Sequence, residues 1–298
     1  MNVRPITRAD ADAVAAMAAA DEAALRGGPS RLEASDVLAW WDRVDLETDS
    51  WLFEDAGTPV AAGWFHPYGD KGAFAGIVAQ GAKGRGIGGR IVEFGEARSR
   101  ERRTAKAHTV ALFEDAAAAA LLRDRGYEQV RLFYEMAIEL GGPPAAPVLP
   151  DGLFLDEFHE SDARTFHAAL EEAFQDHWEW HGTPFDEWWE RRCGEDADAH
   201  GPLWFVVRDG DEIAAGVRNE ADRNGGGYVG LLGVRREWRG LGLGRALLLR
   251  TFAEFWSRGV NRITLGVDAE SPTRATKLYE NVGMEVESSV VVFEKELA

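Results

Sequence analysis

The sequence predicts a mixed α/β fold with two tandem domains, on the evidence of its length, a proline-rich segment and an internal repeat. The chain has 298 residues, about twice the usual size of a small domain. After Leu140 it reads Gly-Gly-Pro-Pro-Ala-Ala-Pro-Val-Leu-Pro, and closely spaced prolines suit neither a helix interior nor a central strand. We therefore predict domains at residues 1–140 and 151–298, joined by a linker at 141–150.

The internal repeat is a glycine-rich segment that occurs once in each half. Lys83 to Gly89 reads Lys-Gly-Arg-Gly-Ile-Gly-Gly, and Arg239 to Arg245 reads Arg-Gly-Leu-Gly-Leu-Gly-Arg. A second matching pair, Leu121 to Tyr127 and Leu278 to Met284, follows at nearly the same separation. Two landmarks in one order at one spacing indicate a tandem duplication.

The second half begins with a strand followed by helices. Leu153–Phe158 reads as a strand, and Ser161 is expected to cap the helix that follows. That helix carries apolar residues every four positions, at Phe166, Leu170 and Phe174. A short second helix is predicted with Thr183 as its N-cap and Pro184 at its first position.

Three apolar strands precede the glycine segment, which then opens a helix. That helix ends near Gly259, and Pro272–Asn281 is a further helix closed by Gly283. The strands of this region are expected at residues 203–208, 213–219, 228–234, 263–267 and 286–293.

The first half repeats this order less regularly. Helices are predicted before Gly27 and after Ser35, and the last strands lie at residues 130–138. Asp115 precedes an unbroken alanine run at 116–120, which favours a plain helix. The first half is thus also mixed α/β.

Composition and charge restrict the partners. The net charge of −18 and the pI near 4.8 argue against nucleic acid and anionic membranes, which bind clustered Lys and Arg. The single cysteine, Cys193, excludes an intramolecular disulfide and suits a reducing cytoplasm. The N-terminus has no apolar signal core, and no segment approaches the roughly 18 apolar residues of a membrane span. A monomer and a homodimer are equally compatible.

A strand, a glycine-rich loop and a helix together make an anion site, because backbone amides and the positive helix terminus point at one place. The P-loop of nucleotide-binding proteins requires Lys followed by Ser or Thr, whereas Arg245 and Ala246 occupy those positions. The dinucleotide fingerprint belongs to an early βαβ unit, whereas this loop follows several strands. The predicted contacts to a phosphate-bearing cofactor are Arg239, Gly240, Leu241, Gly242, Leu243, Gly244 and Arg245, and in the first half Lys83, Gly84, Arg85, Gly86, Ile87, Gly88 and Gly89.

The spacing Arg239-x-x-Gly242-x-Gly244 resembles the acetyl-CoA-binding motif of the GNAT superfamily of N-acetyltransferases. Leu231-Leu232-Gly233-Val234 looks like that family's fourth strand, and the segment from Ala275 to Met284 like its last helix. The likeness covers residues 151–298 and extends more loosely to residues 1–140. It implies two GNAT-like domains and acetyl-CoA, or another short acyl-CoA, as cofactor.

The resemblance also implies that the pantetheine arm lies along the fourth strand at Leu232, Gly233 and Val234, with Val78 at the matching place in the first half. Ser271 stands where the family often has Asn before the last helix, and it is expected to cap that helix. A backbone amide of the fourth strand would face the thioester oxygen and stabilise the oxyanion.

Catalysis by this family uses a tyrosine on the last helix to protonate the leaving thiolate, and Tyr279 occupies that position. The alternative is that Tyr279 only packs under the sheet. Many relatives carry a glutamate on the fourth strand as base, but residues 228–234 contain no acid or histidine. His177 and Glu179 are the remaining candidates, and a structural histidine is equally plausible for His177. No metal site is expected.

The tryptophans between residues 178 and 189 could enclose an acceptor, although core packing is the more common role of such a cluster. The first half has Leu122 where the second has Tyr279, and leucine cannot donate a proton. The first domain is therefore expected to bind CoA weakly or only to support the fold.

The resemblance implies transfer of acetyl to a primary amine of a small molecule by direct attack in a ternary complex. The tandem pattern also resembles mycothiol synthases, in which an amine on a sugar-linked cysteine is acetylated. A peptide N-terminus and an aminoglycoside-like antibiotic remain alternative acceptors. The alternative from another class is a non-catalytic acyl-CoA-binding or scaffold protein.

Overall fold

The computed structural model describes residues 1–193, 203–223 and 225–297, and the side chain of Cys193 lies outside the described part. The chain forms two compact units. The first comprises Met1–Phe133 with Ser288–Ala298, and the second comprises Tyr134–Glu287. None of the helices in these described ranges is both long and apolar enough to cross a membrane.

The first unit is a mixed sheet with helices packed on it. Its strands run antiparallel from β1 to β4, β4 and β5 are parallel, and the C-terminal strand β12 pairs antiparallel with β5. Asp115 caps the alanine-rich α4 by accepting a 2.8 Å hydrogen bond from the Ala118 amide. The elements are β1 (Asn2–Arg4), α1 (Ala11–Arg26), α2 (Ala34–Trp40), β2 (Ser50–Asp55), β3 (Thr58–Tyr68), β4 (Lys71–Val78), α3 (Ile87–Glu101), β5 (Lys106–Leu112) and α4 (Ala116–Asp124). Two further strands, β6 (Glu128–Glu139) and β12 (Glu285–Glu296), belong to this unit only as far as Phe133 and from Ser288 onward, respectively.

The second unit repeats this plan. Its strands β7 to β10 are antiparallel and β10 is parallel to β11. Helix α5 is amphipathic, and its buried residues Ala163, Phe166, Ala169, Leu170 and Ala173 face the core. The elements are β7 (Leu153–Glu157), α5 (Ala163–Phe174), α6 (Phe185–Cys193), β8 (Trp204–Asp209), β9 (Glu212–Arg223), β10 (Gly226–Val234), α7 (Leu243–Ser257), β11 (Arg262–Asp268) and α8 (Ala275–Glu280).

The mixed α/β class and the two related units are therefore confirmed. The domain boundaries predicted from the proline-rich segment remain a prediction. Near the end of the chain, Val290–Glu296 pair with β5 of the first unit, although the linker position assigns these residues to the second domain.

Three predicted helix caps are wrong. Ser161 lies inside a short 3-10 turn, and α5 begins after Asp162. Helix α6 begins at Phe185, with Pro184 supplying the first carbonyl to the Trp188 amide at 2.9 Å. Ser271 does not cap α8. The residue that precedes this helix is Arg274, whose backbone has a left-handed conformation. A turn lies between Ser161 and α5 and between Ser271 and α8, whereas Thr183 is separated from α6 by Pro184 alone, because the first helical hydrogen bond is accepted by the Pro184 carbonyl.

Candidate active site

The site is built around the point where β10 and β11 separate. The two strands pair only where Gly227 and Tyr228 lie opposite Ile263 and Thr264. Beyond that point β10 pairs with β9 alone, and the register shifts between Val229 and Leu231. Such a bulge bends a strand and redirects its side chains. The β11-facing backbone groups of the end of β10 are therefore not used by that strand pairing and can bind an extended ligand.

The glycine loop follows directly. Gly240 and Gly242 both have φ of +81°, in the left-handed region that glycine tolerates best. Gly242 precedes α7 and supplies no side-chain cap, so the first amides of this helix remain available to an anion. Arg245, in the first turn, is exposed and forms no ion pair or hydrogen bond through its side chain with the described residues. These features fit a pyrophosphate.

Gly244 brings three predicted elements together. A Cβ built on Gly244 would lie 2.9 Å from Leu278 Cδ2 on α8, closer than carbon atoms normally approach. The same position lies 3.6 Å from Leu232 and 3.8 Å from Val234 on β10. The missing side chain thus allows α7 to approach α8 and the diverging strand.

The Arg239 side chain forms hydrogen bonds away from the N-terminus of α7. Its guanidinium donates to the Ala173 carbonyl at 3.0 Å, to Asp176 at 3.0 Å and to the Val234 carbonyl at 3.2 Å. Hydrogen bonds from Arg236 and Arg239 lower the pKa of Asp176 to about 2. Arg239 therefore ties the beginning of the loop to the end of α5, and its backbone is the part that remains for a cofactor.

Tyr279 lies on α8 with its ring buried in the core. Burial, and to a lesser degree the nearby Tyr228, raises the pKa of Tyr279 to about 12. Its hydroxyl has no hydrogen-bond partner among the described residues. The phenol is thus protonated at neutral pH and free to donate.

Tyr228 is a site residue that the sequence did not single out. Its hydroxyl lies 3.3 Å from the position of a Cβ on Gly266, and the Arg223 guanidinium lies 4.0 Å from the centroid of its ring. Burial raises the pKa of Tyr228, while the charge of Arg223 and a hydrogen bond from the Gly266 backbone oppose that rise. Tyr228 and Tyr279 therefore lie close enough to influence each other where the strands separate.

Glu220 was also missed. It lies directly opposite Tyr228 on β9 and forms ion pairs with Arg218 at 2.5 Å and Arg223 at 3.0 Å. Burial alone would raise the pKa of Glu220, but the two guanidiniums outweigh it and lower that pKa. A Cβ built on Gly230, within the bulge, would lie 3.0 Å from the Glu220 carboxylate. The carboxylate therefore lies over the bulge; charged residues within an otherwise apolar strand were the signal that could have identified it.

His177 follows α5 at the other side of the site. Its ring packs on Phe174 with a centroid separation of 4.3 Å. Burial lowers the pKa of His177, with the charges of Asp268 and Asp176 opposing and that of Arg239 adding to the effect. His177 is thus a neutral imidazole near the start of the glycine loop. Glu179 lies in the same segment with φ of +50°.

The tryptophans divide between two environments. Trp188 is buried and packs on Phe166 and Trp204, so it belongs to the core. Trp180 packs on Phe174 and donates to Glu171 at 3.0 Å, which orders the segment that carries His177. Within the described ranges, no group of three His, Cys, Asp or Glu side chains is placed to hold a metal ion.

The first unit repeats the cofactor geometry. Gly84 and Gly86 have φ of +76° and +78°, and β4 pairs with β5 only from Lys71 to Phe74 before the strands separate. A Cβ built on Gly88 would lie 3.2 Å from Leu121, which matches the close approach of Gly244 to Leu278 in the second unit. The duplication thus extends to the backbone conformation of the loop.

The side chains of the first unit differ from those of the second. Lys83 pairs with Asp21 at 2.5 Å and with Asp115 at 3.4 Å. Burial alone would lower the pKa of Lys83, but these two carboxylates raise it. Leu122 is buried where the second unit has Tyr279. The positive charge of Lys83 is therefore compensated by two carboxylates. The helix position that corresponds to Tyr279 carries no proton donor.

Comparison with known proteins decides the family. The model of the acetyltransferase (GNAT) family matches residues 156–284. Over 213 residues the chain is 32% identical to a mycothiol acetyltransferase of Thermobispora bispora, with 70% of each chain covered. The chain belongs to the acetyltransferase (GNAT) family.

Solved structures of GNAT proteins agree with this assignment along the whole chain. A GCN5-related N-acetyltransferase from Sphaerobacter thermophilus is 31% identical with a TM-score of 0.88, covering 99% of this chain and 95% of that one. A tandem GNAT protein from the clavulanic acid biosynthesis pathway has the same fold, with a TM-score of 0.74, 18% identity and coverage of 99% and 98%. This GNAT protein is therefore an acetyltransferase of a family that uses acetyl-CoA, built from two tandem GNAT units.

Proposed function

We propose that the second unit transfers acetyl from acetyl-CoA to a primary amine of a small molecule by direct attack in a ternary complex. The observation that carries the proposal is the alignment of three features. The open end of β10, the uncapped start of α7 and α8, the helix that carries the protonated Tyr279, adjoin one another through Gly244, Leu278 and Leu232.

Acetyl-CoA supplies the activated acetyl thioester, and the glycine loop before α7 binds this cofactor. The amides at the start of α7 and the exposed Arg245 bind the pyrophosphate. The backbone of Leu232, Gly233 and Val234 binds the pantetheine arm. The segment before α8, with Ser271, borders this site, and Val78 with the loop from Lys83 to Gly89 has the corresponding place in the first unit.

Tyr279 acts as the proton donor to the leaving thiolate. A free thiol has a pKa of about 8.5, well below that of the buried phenol. The same burial that raises the pKa of Tyr279 also disfavours a thiolate that forms beside it, which reduces this difference. Proton transfer from Tyr279 to a fully hydrated thiolate would be uphill, and it is the shared burial that makes donation feasible and avoids release of a bare thiolate in a poorly hydrated site.

Glu220 removes the proton from the acceptor amine, directly or through water. Its carboxylate lies over the bulge of β10 and is held ionised by Arg218 and Arg223. The two guanidiniums also oppose a nearby ammonium, because like charges lower its pKa. His177 and Glu179 remain the second candidates, since His177 is neutral but lies beside Arg239 at the start of the loop.

The acceptor class is taken from the relatives. The likeness to the mycothiol acetyltransferase of Thermobispora bispora, together with the tandem pattern that resembles mycothiol synthases, makes an amine on a sugar-linked cysteine the first acceptor to examine. The decisive measurement is release of free CoA from acetyl-CoA in the presence of such an amine, a peptide N-terminus and an aminoglycoside. Turnover with the first alone supports the proposal. Acetyl-CoA binding by calorimetry without turnover on any amine would instead favour a non-catalytic acyl-CoA-binding protein.

A further inference from the structure

The first unit contains a cavity of about 300 Å³ that the proposed acetyl transfer does not use. It lies on one face of β3, β4 and β5, beside the loop that follows α2. Trp64 and Tyr68 on β3 give it aromatic walls, while Ala73 and Ala75 on β4 leave room between them. The cavity therefore has the dimensions and lining of a site for a small planar molecule.

The walls are held rigidly. Trp64 stacks on Trp40 at 5.8 Å between ring centroids and packs edge-on against Trp41 at 6.2 Å. Both Trp64 and Trp41 are buried. The aromatic surface is thus formed before any ligand arrives, which lowers the entropic cost of binding.

The polar groups of the cavity are basic or neutral. Arg43, His66 and His108 line it, and none of the lining residues is acidic. Arg43 is exposed and has no ion-pair partner among the described residues. An ammonium ligand would find no counter-charge in this lining, whereas a carboxylate would find a guanidinium.

The two histidines add directional groups. The Nδ1 atom of His66 is buried, and no hydrogen-bond partner for it occurs within the described ranges. Burial, followed by the charges of Arg43 and His108, lowers the pKa of His66, so its ring is neutral. A buried ring nitrogen without a partner is costly, and because this atom has almost no accessible surface, His66 lines the cavity with the rest of its neutral ring.

His108 is oriented by a carboxylate that is itself neutralised. Its Nδ1 lies 3.1 Å from Glu294 Oε1, and Glu294 also forms ion pairs with the buried Lys71 and with Lys106 at 3.5 Å. Because Glu294 already faces these cations, it does not offer an unpaired negative charge to the cavity.

We propose that this cavity is a binding site for a small planar carboxylate, with its ring between Trp64 and Tyr68 and its carboxylate on Arg43. The site is separate from the amine-acetylating centre of the second unit, and its occupancy does not depend on turnover. It gives the first unit a ligand of its own, although that unit lacks the tyrosine of the second.

Calorimetric titration of the full chain with indole-3-carboxylate and indole-3-carboxamide tests this proposal. The two probes share one ring system and differ in charge. The carboxylate should bind about tenfold more tightly, because a charge-assisted hydrogen bond is stronger than a neutral one. Arg43→Gln should bring the carboxylate to the affinity of the carboxamide. Val110→Trp, at an exposed residue of the lining, should block both probes.

Arg8→Gln is the matched control, because Arg8 is also an exposed arginine of the first unit but does not line the cavity. It should leave both affinities unchanged. Thermal melting checks that all variants fold. Equal affinity for the two probes, binding of neither, or selectivity that survives Arg43→Gln would overturn the proposal. Tighter binding of indole-3-methylamine would reverse its charge assignment.

Discussion

The hydroxyl group of Tyr279 determines whether this residue is a proton donor or only a packing residue. Tyr279→Phe keeps the buried ring and removes only the hydroxyl, so acetyl-CoA binding should be unchanged. We expect kcat to fall by about 10²- to 10⁴-fold, the usual contribution of general acid catalysis. Because the pKa of Tyr279 is about 12, its proton is present throughout the neutral range, and the wild-type rate should show no alkaline decline from this group below about pH 11.

The control for this change is Tyr127→Phe. Tyr127 is likewise buried and burial likewise raises its pKa, but it belongs to the first unit. Its loss should leave kcat unchanged. If the two variants had the same turnover, Tyr279 would be only a packing residue.

Glu220 and His177 are distinguished by the pH dependence of kcat/KM. The pKa of Glu220 is lowered. Its carboxylate is therefore ionised throughout the neutral pH range, and the charge is lost only when the pH falls through this lowered pKa. Glu220→Gln should reduce the rate about 10²-fold or more across the neutral range, whereas His177→Asn should leave the shape of the profile unchanged. If His177→Asn instead removes a titration below pH 6.5, the histidine is the base and Glu220 only orders β9.

These residues mark what single-sequence reasoning can and cannot reach. Tyr279 was predictable because it lies within a short motif on one helix. Glu220 was not, because its proximity to Tyr228 and Gly230 arises from the register between β9 and β10. Arg239 was identified by its position in the loop, but the direction of its side chain depends on Asp176 and Ala173, far away in sequence.

The two glycine loops make a matched pair at the scale of an element. Gly86 and Gly242 have the same left-handed backbone conformation, and each precedes a helix of the same length. Valine at either position is strained by roughly 1–3 kcal/mol and turns the helix amides away from a bound anion. Gly242→Val should therefore raise the KM for acetyl-CoA at least about tenfold, while Gly86→Val should leave turnover in place. Steady-state kinetics and melting of both variants provide the measurement, and equal loss of activity would mean that both units contribute to catalysis.

Elements were more predictable than their ends. The glycine loops and the helices after them followed from composition, since Gly84, Gly86, Gly240 and Gly242 are needed for positive φ. The start of α8 did not, because a turn from Ser271 to Arg274 precedes it. Local hydrogen bonding within such a turn competes with the helix cap, and the sequence does not show which prevails.

At the scale of the whole molecule, the ends of the chain contribute to one unit. The proline-rich segment was a sound guide to the repeat, but the assignment of Ser288–Ala298 to the first unit depends on pairing between β12 and β5. Such long-range strand pairing leaves no local signal in the sequence. It follows that the first unit is completed only when the last residues of the chain are available.

Phe293→Ala tests this dependence. Phe293 is fully buried in the core of the first unit, so its truncation should cost about 3–5 kcal/mol. Because the loss falls on the C-terminal strand, hydrogen exchange should accelerate in β3, β4 and β5, while β8 and β9 of the second unit keep their protection. Val286→Ala, at an exposed position of the same strand, is the control and should change neither. Faster exchange confined to the second unit after Phe293→Ala would show that the last strand stabilises that unit instead.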